Sequence, residues 1–425
     1  MLNAITLTDV GPAPGMDFSP VAPRVNLLTG DNGLGKSFLL DVAWWALTRS
    51  WPDELGALPH RGAGVTPMIS FAYSGEVALT EDTCPFDFEA QSWRRKRGKP
   101  ADPGLVLYAR VDGSFSVWDP ARYRSESKAG TLGDARGAIH LQADEVWKGR
   151  PEGAEERGGA FKGLLSDWLL WQARGGDPWR QLTAVLEALS PGPQEVLAPG
   201  DPTPVSIDGD EQPTLRMPYG QDVPLMAASA GMRRICALAY LLVWAWERHQ
   251  RISTVMNRPV TREIIFLVDE LEAHLHPKWQ RRILAALLGV MDSLTGQADV
   301  PVQLIAATHS PLVLASMEPR FESDRDALWD LDLVDHEVTL KRVPWVRRGD
   351  ASSWLTSDIF DLGAATSVEA EEALGRARAL LLEESPEPAE VVAVDKALRQ
   401  TLGDLDPFFV RWGWFVEKVT GGGAS

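Results

Sequence analysis

The sequence predicts an α/β fold with a parallel central sheet, and three stretches of the chain carry that prediction. Residues 24–30 form an apolar run that leads into a glycine-rich turn and then into an apolar helix. Residues 264–270 (IIFLVDE) and 302–311 (VQLIAATHSP) begin as continuous apolar runs and end in polar residues, which is typical of strands buried on both faces. Because such strands alternate with predicted helices, the three stretches indicate an α/β core.

The turn after the first strand has the sequence GDNGLGKS, which is the G-x-x-x-x-G-K-S pattern of a phosphate-binding loop. Its glycines let successive N–H groups curl around an anion, and the helix that follows adds a positive end. A lysine in this place can reach the β- and γ-phosphates, and a serine hydroxyl can bind Mg²⁺. The predicted nucleotide-binding residues are Gly30, Asp31, Asn32, Gly33, Leu34, Gly35, Lys36, Ser37 and Phe38.

Two acidic residues, Asp269 and Glu270, end the second buried strand. Asp269 is placed to hold Mg²⁺ through water, and Glu270 to orient and polarise an attacking water. Alone, such an acidic strand end would be an ordinary exposed feature. Together with the phosphate-binding loop it predicts the second half of a nucleotide site.

The third buried strand ends at His309, at the edge where ligands of an open α/β sheet collect. A histidine there can hydrogen-bond a γ-phosphate. For a lone histidine the alternative, a structural residue at a strand end, would be preferred. The coincidence with the other two motifs favours function.

A fourth motif, ASAGMRR at residues 228–234, directly precedes a long apolar helix predicted from about Met232 to Gln250. A serine and a glycine at a helix N-terminus form a second anion-binding geometry. The alternative is a plain N-cap, with Ser229 capping the helix. One nucleotide does not need two such sites within one chain, but a dimer can use the second on its partner's nucleotide.

The four motifs occur in the order found in ABC-type ATPase heads, and DELEAHLHPKWQRRI at 269–283 resembles the soluble OLD-like and RecF/SMC-like branch. Within that branch the chain resembles the AAA-type ATPases of bacterial antiphage systems, such as the Septu and retron-associated ATPases. The resemblance implies a P-loop NTPase with an ABC-like mixed sheet and flanking helices, a helical insertion that forms a lid, and a mostly helical C-terminal extension.

The resemblance also implies roles for individual residues. The loop at 30–37 would be Walker A, and Asp269 with Glu270 would be Walker B. Lys36, Glu270 and His309 would be the catalytic residues, and ATP with Mg²⁺ the cofactors. The signature contacts would come from Ser229, Gly231 and Arg233, although the motif departs from Leu-Ser-Gly-Gly-Gln. Gln142 and Gln91 compete as the third Mg²⁺ ligand besides Ser37 and Asp269, and Gln142 is preferred.

The predicted domains follow the same resemblance. Residues 1–129 form the first half of the ATPase head, 130–200 the helical insertion, 201–345 the second half, and 346–425 the helical extension. The implied function is a regulatory ATPase that dimerises on ATP, as a homodimer or higher oligomer, and controls a separate nuclease effector in antiphage defence. The alternative is a DNA-repair or chromosome-maintenance ATPase of RecF or SMC type, although the chain lacks the long heptad arm of an SMC protein.

Composition limits the other classes of function. The two cysteines, Cys84 and Cys236, cannot build a disulfide framework, and the longest apolar run, at 235–246, is too short to span a bilayer. We therefore expect a cytoplasmic protein without a membrane segment. The net charge of −17 argues against a surface that is a nucleic-acid platform overall.

Two smaller clusters leave alternatives open. His274 and His276 have the spacing of two metal ligands on one strand face, but their position after Walker B favours a loop at a dimer contact. The segment WRRKRGK, residues 93–99, is a solvated loop or, in the sharper interpretation, a contact with DNA or RNA phosphates.

Overall fold

The computed structural model describes residues 1–53, 56–60, 66–75, 79–94, 102–122, 138–150, 160–204, 209–261, 263–295 and 301–421. These residues divide into two compact units, Met1–Arg347 and Arg348–Ser425. Within the described ranges, no helix is long and apolar enough to cross a bilayer.

The first unit is built on a sheet of eight strands. In chain order these strands are β3 (Val25–Gly30), β7 (Leu105–Ala109), β8 (Phe115–Trp118), β9 (Ala138–Leu141), β15 (Ile264–Val268), β16 (Val302–Ala307), β17 (Asp326–Val334) and β18 (Glu337–Val343). Their spatial order is β18-β17-β3-β16-β15-β7-β8-β9. The five strands from β17 to β7 are parallel to one another. At the edges, β18 pairs antiparallel with β17, β8 with β7, and β9 with β8. The predicted mixed α/β sheet is thus confirmed.

A second, antiparallel sheet has the order β2-β1-β4-β5-β6. Its strands are β1 (Leu2–Val10), β2 (Ala13–Phe18), β4 (Met68–Ser74), β5 (Leu79–Asp87) and β6 (Ser92–Trp93). Five short strands form two small sheets between residues 198 and 224: β10 (Ala198–Pro199), β11 (Thr203–Pro204), β12 (Glu211–Gln212), β13 (Thr214–Arg216) and β14 (Asp222–Pro224).

Helices flank the core sheet. They are α1 (Lys36–Thr48), α2 (Ala143–Lys148), α3 (Leu164–Arg174), α4 (Asp177–Ala188), α5 (Ala230–Val255), α6 (Pro277–Gln280), α7 (Ile283–Thr295) and α8 (Pro311–Met317). The side chains of α1 are largely buried, and its Trp44 and Trp45 are fully enclosed in the core between the sheets. Helix α5 is longer than predicted because it begins at the Ser229 cap and continues through its polar last turns.

The second unit consists of α9 (Ala351–Leu355), α10 (Val368–Leu380), α11 (Pro388–Thr401) and α12 (Phe408–Thr420). Its own core is formed by small and branched residues of α10 and α11 around the fully buried Trp412. The prediction of a mostly helical extension is therefore confirmed.

One element differs from the sequence prediction. Residues 138–141 were expected at the start of a helical insertion, but they form β9, which pairs with β8 through Phe115 opposite Leu141. The reason is that the hairpin of β7 and β8 leaves an open edge, and the alternating residues of β9 bury Ile139 and Leu141 against it. Helices α2, α3 and α4 follow, so the helical part of the insertion is described at 143–148, 164–174 and 177–188.

Candidate nucleotide site at the carboxyl edge of the parallel strands

The loop between β3 and α1 depends on its glycines. Gly30, Gly33 and Gly35 have φ angles of 121°, 82° and 103°, in the region that favours glycine. At Gly30 a Cβ would lie 2.0 Å from the carbonyl oxygen of Leu331 on the neighbouring strand β17. No other residue type therefore fits where β3 turns into the loop.

Lys36 lies across this loop. Its Nζ donates to the carbonyls of Gly30 at 2.8 Å and Asp31 at 2.7 Å. Burial lowers the pKa of Lys36, and the charges of Asp269, Asp31 and Glu270 partly offset that effect. The ammonium is thus held at the point where a phosphate would enter the loop.

The remaining predicted loop residues fall into two groups. Asp31, Asn32 and Gly33 are exposed at the tip, open to a ligand. Leu34 and Phe38 pack against the core instead. The ring of Phe38 lies so close to Gly11, in the turn between β1 and β2, that a Cβ there would be 2.2 Å from its Cζ. Phe38 therefore packs against the turn beside the loop.

Asp269 follows β15 and meets Ser37 at the start of α1. Its backbone N–H donates to the carbonyl of Ala109 at 2.9 Å. Burial raises the pKa of Asp269, an effect that the nearby Ser37 hydroxyl opposes and the charge of Glu270 reinforces.

The Oδ1 atom of Asp269 is buried and has no hydrogen-bond partner in the described part of the chain. A buried carboxylate oxygen without a donor is costly, and a cation can compensate for it. Beside the Ser37 hydroxyl, this oxygen supplies the hard oxygen ligands that Mg²⁺ prefers. Ser37 and Asp269 therefore fit a magnesium site. No cluster of three or more His, Cys, Asp or Glu residues suited to a metal occurs in the described ranges.

Glu270 has a φ of 45°, which is uncommon for a residue with a side chain. Arg234, on the first turn of α5, donates from Nη2 to the carbonyls of Asp269 at 3.0 Å and Glu270 at 2.8 Å, and from Nη1 to Val111 at 3.0 Å. Burial lowers the pKa of Arg234. Sequence reasoning singled out Arg233 and missed Arg234, because these contacts join segments 35 residues and more apart.

Glu272 connects this turn to His309. Its Oε1 accepts from the His309 backbone N–H at 2.5 Å, and its Oε2 accepts from the Thr308 hydroxyl at 2.7 Å. Burial lowers the pKa of His309, and the nearby charge of Lys36 lowers it further. A neutral imidazole is therefore favoured. Glu272, like Arg234, was not identified from the sequence, although its place two residues after Glu270 was the available signal.

The pKa values of Lys36 and His309 both respond to the charges of Asp269, Glu270 and Glu272. The structure therefore brings together the predicted lysine, both predicted acids and the predicted histidine. They lie where β3, β16 and β15 end, because parallel strands place their carboxyl ends on one edge.

Ser229 caps α5, and its Oγ accepts from the Met232 N–H at 3.3 Å. The plain N-cap interpretation is thus observed. Gly231 packs against the turn after β15, where a Cβ on Gly231 would lie 2.7 Å from the His274 carbonyl oxygen. Arg233 is half-buried, and its Nε lacks a hydrogen-bond partner among residues that the structure describes.

The two glutamine candidates lie elsewhere. Gln142 follows β9, its backbone N–H donates to Glu145 at 2.9 Å, and β9 is five strand positions from β3. Ser37 lies near Asp269, at the end of β15, and β15 is three strand positions, about 14 Å, from β9. The Gln142 side chain instead caps α2. Gln91 is in an exposed turn and donates to the Phe88 carbonyl at 2.7 Å. The position after β7, beside β15, is occupied by Arg110, which donates to Ser114 at 2.5 Å.

The two smaller clusters are also placed. His274 and His276 are not on a strand: His274 has a φ of 62°, and His276 caps α6 by accepting from the Lys278 N–H at 3.3 Å. Trp93 is buried and donates to Ala57 at 2.9 Å, and Arg94 is paired with Asp87 at 3.0 Å. The remaining basic residues of WRRKRGK, at 95–99, lie outside the described residues.

Residues 177–315 match a family described as "AAA domain, putative AbiEii toxin, Type IV TA system". A segment of 98 residues, 23% of the chain, is 30% identical to "Retron Vc95 probable ATPase" of Vibrio cholerae serotype O1 biovar El Tor. A segment of 116 residues, 26% of the chain, is 29% identical to "Retron Ec83 probable ATPase" of Escherichia coli. The segments are 17% and 18% of the relatives' own lengths.

Solved structures similar to this chain include the SMC head domain from Thermotoga maritima, with a TM-score of 0.38 at 13% identity, covering 81% of this chain and 99% of that one. A structure of the recombination mediator RecF has a TM-score of 0.39 at 11% identity, with coverages of 81% and 98%. The family and retron matches confirm the predicted resemblance to AAA-type P-loop ATPases, retron-associated ones among them.

Proposed function

We propose that the chain binds ATP with Mg²⁺ and hydrolyses the bond between the β- and γ-phosphates. The observation that carries this proposal is the Oδ1 atom of Asp269, which is buried without a donor in the described structure and lies near the Ser37 hydroxyl. Lys36, Glu270 and His309 lie around that pair. The names of the two retron relatives, each a probable ATPase, support the same activity.

In the proposed reaction the loop N–H groups and the Lys36 ammonium bind the β- and γ-phosphates. Glu270 accepts a proton from a water whose oxygen attacks the γ-phosphorus, and the bond to the bridging oxygen breaks to leave ADP. His309, neutral because its pKa is lowered, donates an N–H to a γ-phosphate oxygen. Mg²⁺, when bound, neutralises charge on the phosphate oxygens. Arg234 holds the turn that aims Glu270.

We further propose that two copies associate on ATP, each placing Ser229, Gly231 and Arg233 against its partner's nucleotide, and that the assembly controls a separate nuclease in the cytoplasm. The resemblance to antiphage ATPases and the word "Retron" in the names of both relatives support this role. Contact of residues 93–99 with DNA or RNA is a separate proposal, which rests on the basic composition of that segment.

The direct test is Mg²⁺-dependent phosphate release by the purified chain and by Lys36→Ala. The variant deletes the charge held at 2.7 and 2.8 Å from the loop carbonyls, so ATP binding and turnover should both be lost. Lys341→Ala is the matched control, because Lys341 is an exposed lysine on β18. Turnover by Lys36→Ala at the wild-type rate, or none by the wild type, would refute the proposal.

A further inference from the structure

A buried tyrosine, Tyr108, pairs with the half-buried Asp41 one helix turn beyond Ser37. The Tyr108 hydroxyl donates to Asp41 Oδ1 at 2.9 Å, and Tyr108 is 1% exposed. Asp41 follows Ser37 by four residues on α1, so the two side chains lie on the same helix face, one turn apart. The pair is not part of the phosphate-binding motif and was not identified from the sequence.

The sheet aligns this pair with the site. Strand β7 runs parallel to β15 with Tyr108 opposite Leu267, so Tyr108 projects from the same sheet face as Leu267 and Asp269. The charge of Asp269 influences the pKa values of both Asp41 and Tyr108, which agrees with their proximity. Helix α1 therefore meets the sheet at two levels: Ser37 lies near Asp269, and Asp41 accepts the Tyr108 hydrogen bond one turn further on.

We propose that the Tyr108–Asp41 hydrogen bond is a tether that sets the rotation of α1 and thereby positions the Ser37 hydroxyl for the metal-bound nucleotide. This inference rests on the proposed function. Ser37 can donate to Asp269 and still offer a lone pair to a cation only in a narrow range of orientations. The Tyr108–Asp41 hydrogen bond, one turn from Ser37, restrains the rotation of α1 about its axis and so keeps the Ser37 hydroxyl in that range. Tyr108 and Asp41 are thus positioning residues.

The state of Asp41 suits this role. Burial raises its pKa to about 6, although the Tyr108 hydrogen bond lowers it. At neutral pH the carboxylate is therefore ionised, and a hydrogen bond to a charged acceptor is stronger than one between neutral groups. An asparagine at position 41 would keep an oxygen acceptor for the Tyr108 hydroxyl and remove only the charge.

The chain contains a matched control. Tyr240 on α5 donates to Asp167 on α3 at 2.8 Å, and Tyr240 is likewise buried. Tyr240→Phe therefore removes the same kind of hydrogen bond as Tyr108→Phe, but among the helices of the insertion. Comparing the two separates an effect on the site from a general loss of stability.

The test is calorimetric binding of ATP in the presence of Mg²⁺ and of EDTA, which needs no turnover. We expect Tyr108→Phe to lose about fivefold of the Mg²⁺-dependent gain in affinity, the factor that about 1 kcal/mol represents. Tyr240→Phe should keep that gain within twofold of the wild type, and Asp41→Asn, which keeps an oxygen acceptor but removes the charge, should lose less of the gain than Asp41→Ala. Asp41→Ala, which removes the acceptor, should match Tyr108→Phe and decides the question if Tyr108→Phe does not fold.

Equal gains in Tyr108→Phe, Tyr240→Phe and the wild type would overturn the tether. So would a loss in Asp41→Asn as large as that in Asp41→Ala, because the charge rather than the hydrogen bond would then matter. A wild type that binds no ATP would instead refute the proposed function, and this inference with it.

Discussion

Arg234 donates a hydrogen bond from Nη2 to the backbone carbonyl of Glu270 at 2.8 Å. The same guanidinium holds the carbonyls of Asp269 and Val111, so one side chain joins α5, the turn after β15 and the turn after β7. Glu270 has a φ of 45°, and a non-glycine residue persists in that region only when its surroundings stabilise it. Arg234 supplies one such contact, and the Ala273 N–H, which donates to the same Glu270 carbonyl at 3.0 Å, supplies another.

Arg234→Lys should therefore separate binding from turnover. Lysine keeps the charge but cannot reach three carbonyls with a planar fork, so the Glu270 turn should loosen. We expect ATP affinity within about threefold of the wild type and turnover lower by about tenfold or more, from a loss of 1.4 kcal/mol or more in the transition state. Arg258→Lys is the control, since Arg258 also donates to a backbone carbonyl, that of Pro120, at 3.1 Å. Equal turnover in both variants would contradict this role.

The glycines of the loop should differ in their tolerance of alanine. At Gly30 a Cβ meets the Leu331 carbonyl oxygen at 2.0 Å, whereas at Gly33 nothing lies within 4 Å and only the φ of 82° is unfavourable. We expect Gly33→Ala to cost about 1–2 kcal/mol of unfolding free energy and Gly30→Ala at least twice as much. Denaturant unfolding of both variants measures the difference. Equal losses in the two variants would mean that position 30 does not lie so close to the Leu331 carbonyl oxygen.

The proposed dimer contact is best tested at Ala230. A glutamate at Gly231 would strike the His274 carbonyl, because even a Cβ there lies 2.7 Å from its oxygen. Ala230 is exposed on the first turn of α5, so Ala230→Glu adds a carboxylate without that clash.

If this helix end meets the partner's γ-phosphate, repulsion of like charges should abolish ATP-dependent association while each chain still binds ATP. Sedimentation with and without ATP measures this. Ala230→Gln is the neutral control of similar size. Undiminished association of Ala230→Glu would rule out this contact.

His140 should make the fold sensitive to acid. Burial, with the charges of Arg110 and Arg150, lowers its pKa to about 4 from 6.5. The His140 imidazole therefore binds a proton more readily in the unfolded chain than in the folded one. Its contribution to the free energy of unfolding is fully present above pH 6.5 and is lost as the pH falls towards 4. The lowered pKa of His140 corresponds to about 3 kcal/mol of unfolding free energy at most.

Unfolding free energies of the wild type and His140→Gln between pH 4 and 7 test the histidine. The variant is expected to have a shallower slope with pH, even if its stability is lower throughout. Parallel curves would show that His140 does not carry this dependence.

Much of the site follows from local sequence. Lys36, Asp269 and His309 could be placed because each lies where an apolar run ends, and parallel strands bring such ends together. Arg234, Glu272 and Tyr108 could not, because their partners are distant in sequence and depend on how α5, β7 and the turn after β15 pack.

Gln142 is the preferred third Mg²⁺ ligand from the sequence because local sequence does not show which strands are neighbours in the sheet. The sequence shows a glutamine between an apolar stretch and a helix, but it does not show that β9 extends the far edge of the sheet. Strand order in a mixed sheet is decided by pairing across the chain, and the local pattern of β9 is compatible with several neighbours.

We propose that Glu270 acts as the base in ATP hydrolysis at this edge of the sheet. The nucleotide that stays bound to the Glu270→Gln variant tests this role. The substitution keeps the side-chain shape and leaves Lys36, Ser37 and Asp269 intact, but it removes the group that takes the proton from water. After incubation with ATP and Mg²⁺ and removal of free nucleotide, we expect Glu270→Gln to retain unhydrolysed ATP and to turn over at least about a hundredfold more slowly than the wild type. Release of phosphate by Glu270→Gln at the wild-type rate would contradict it.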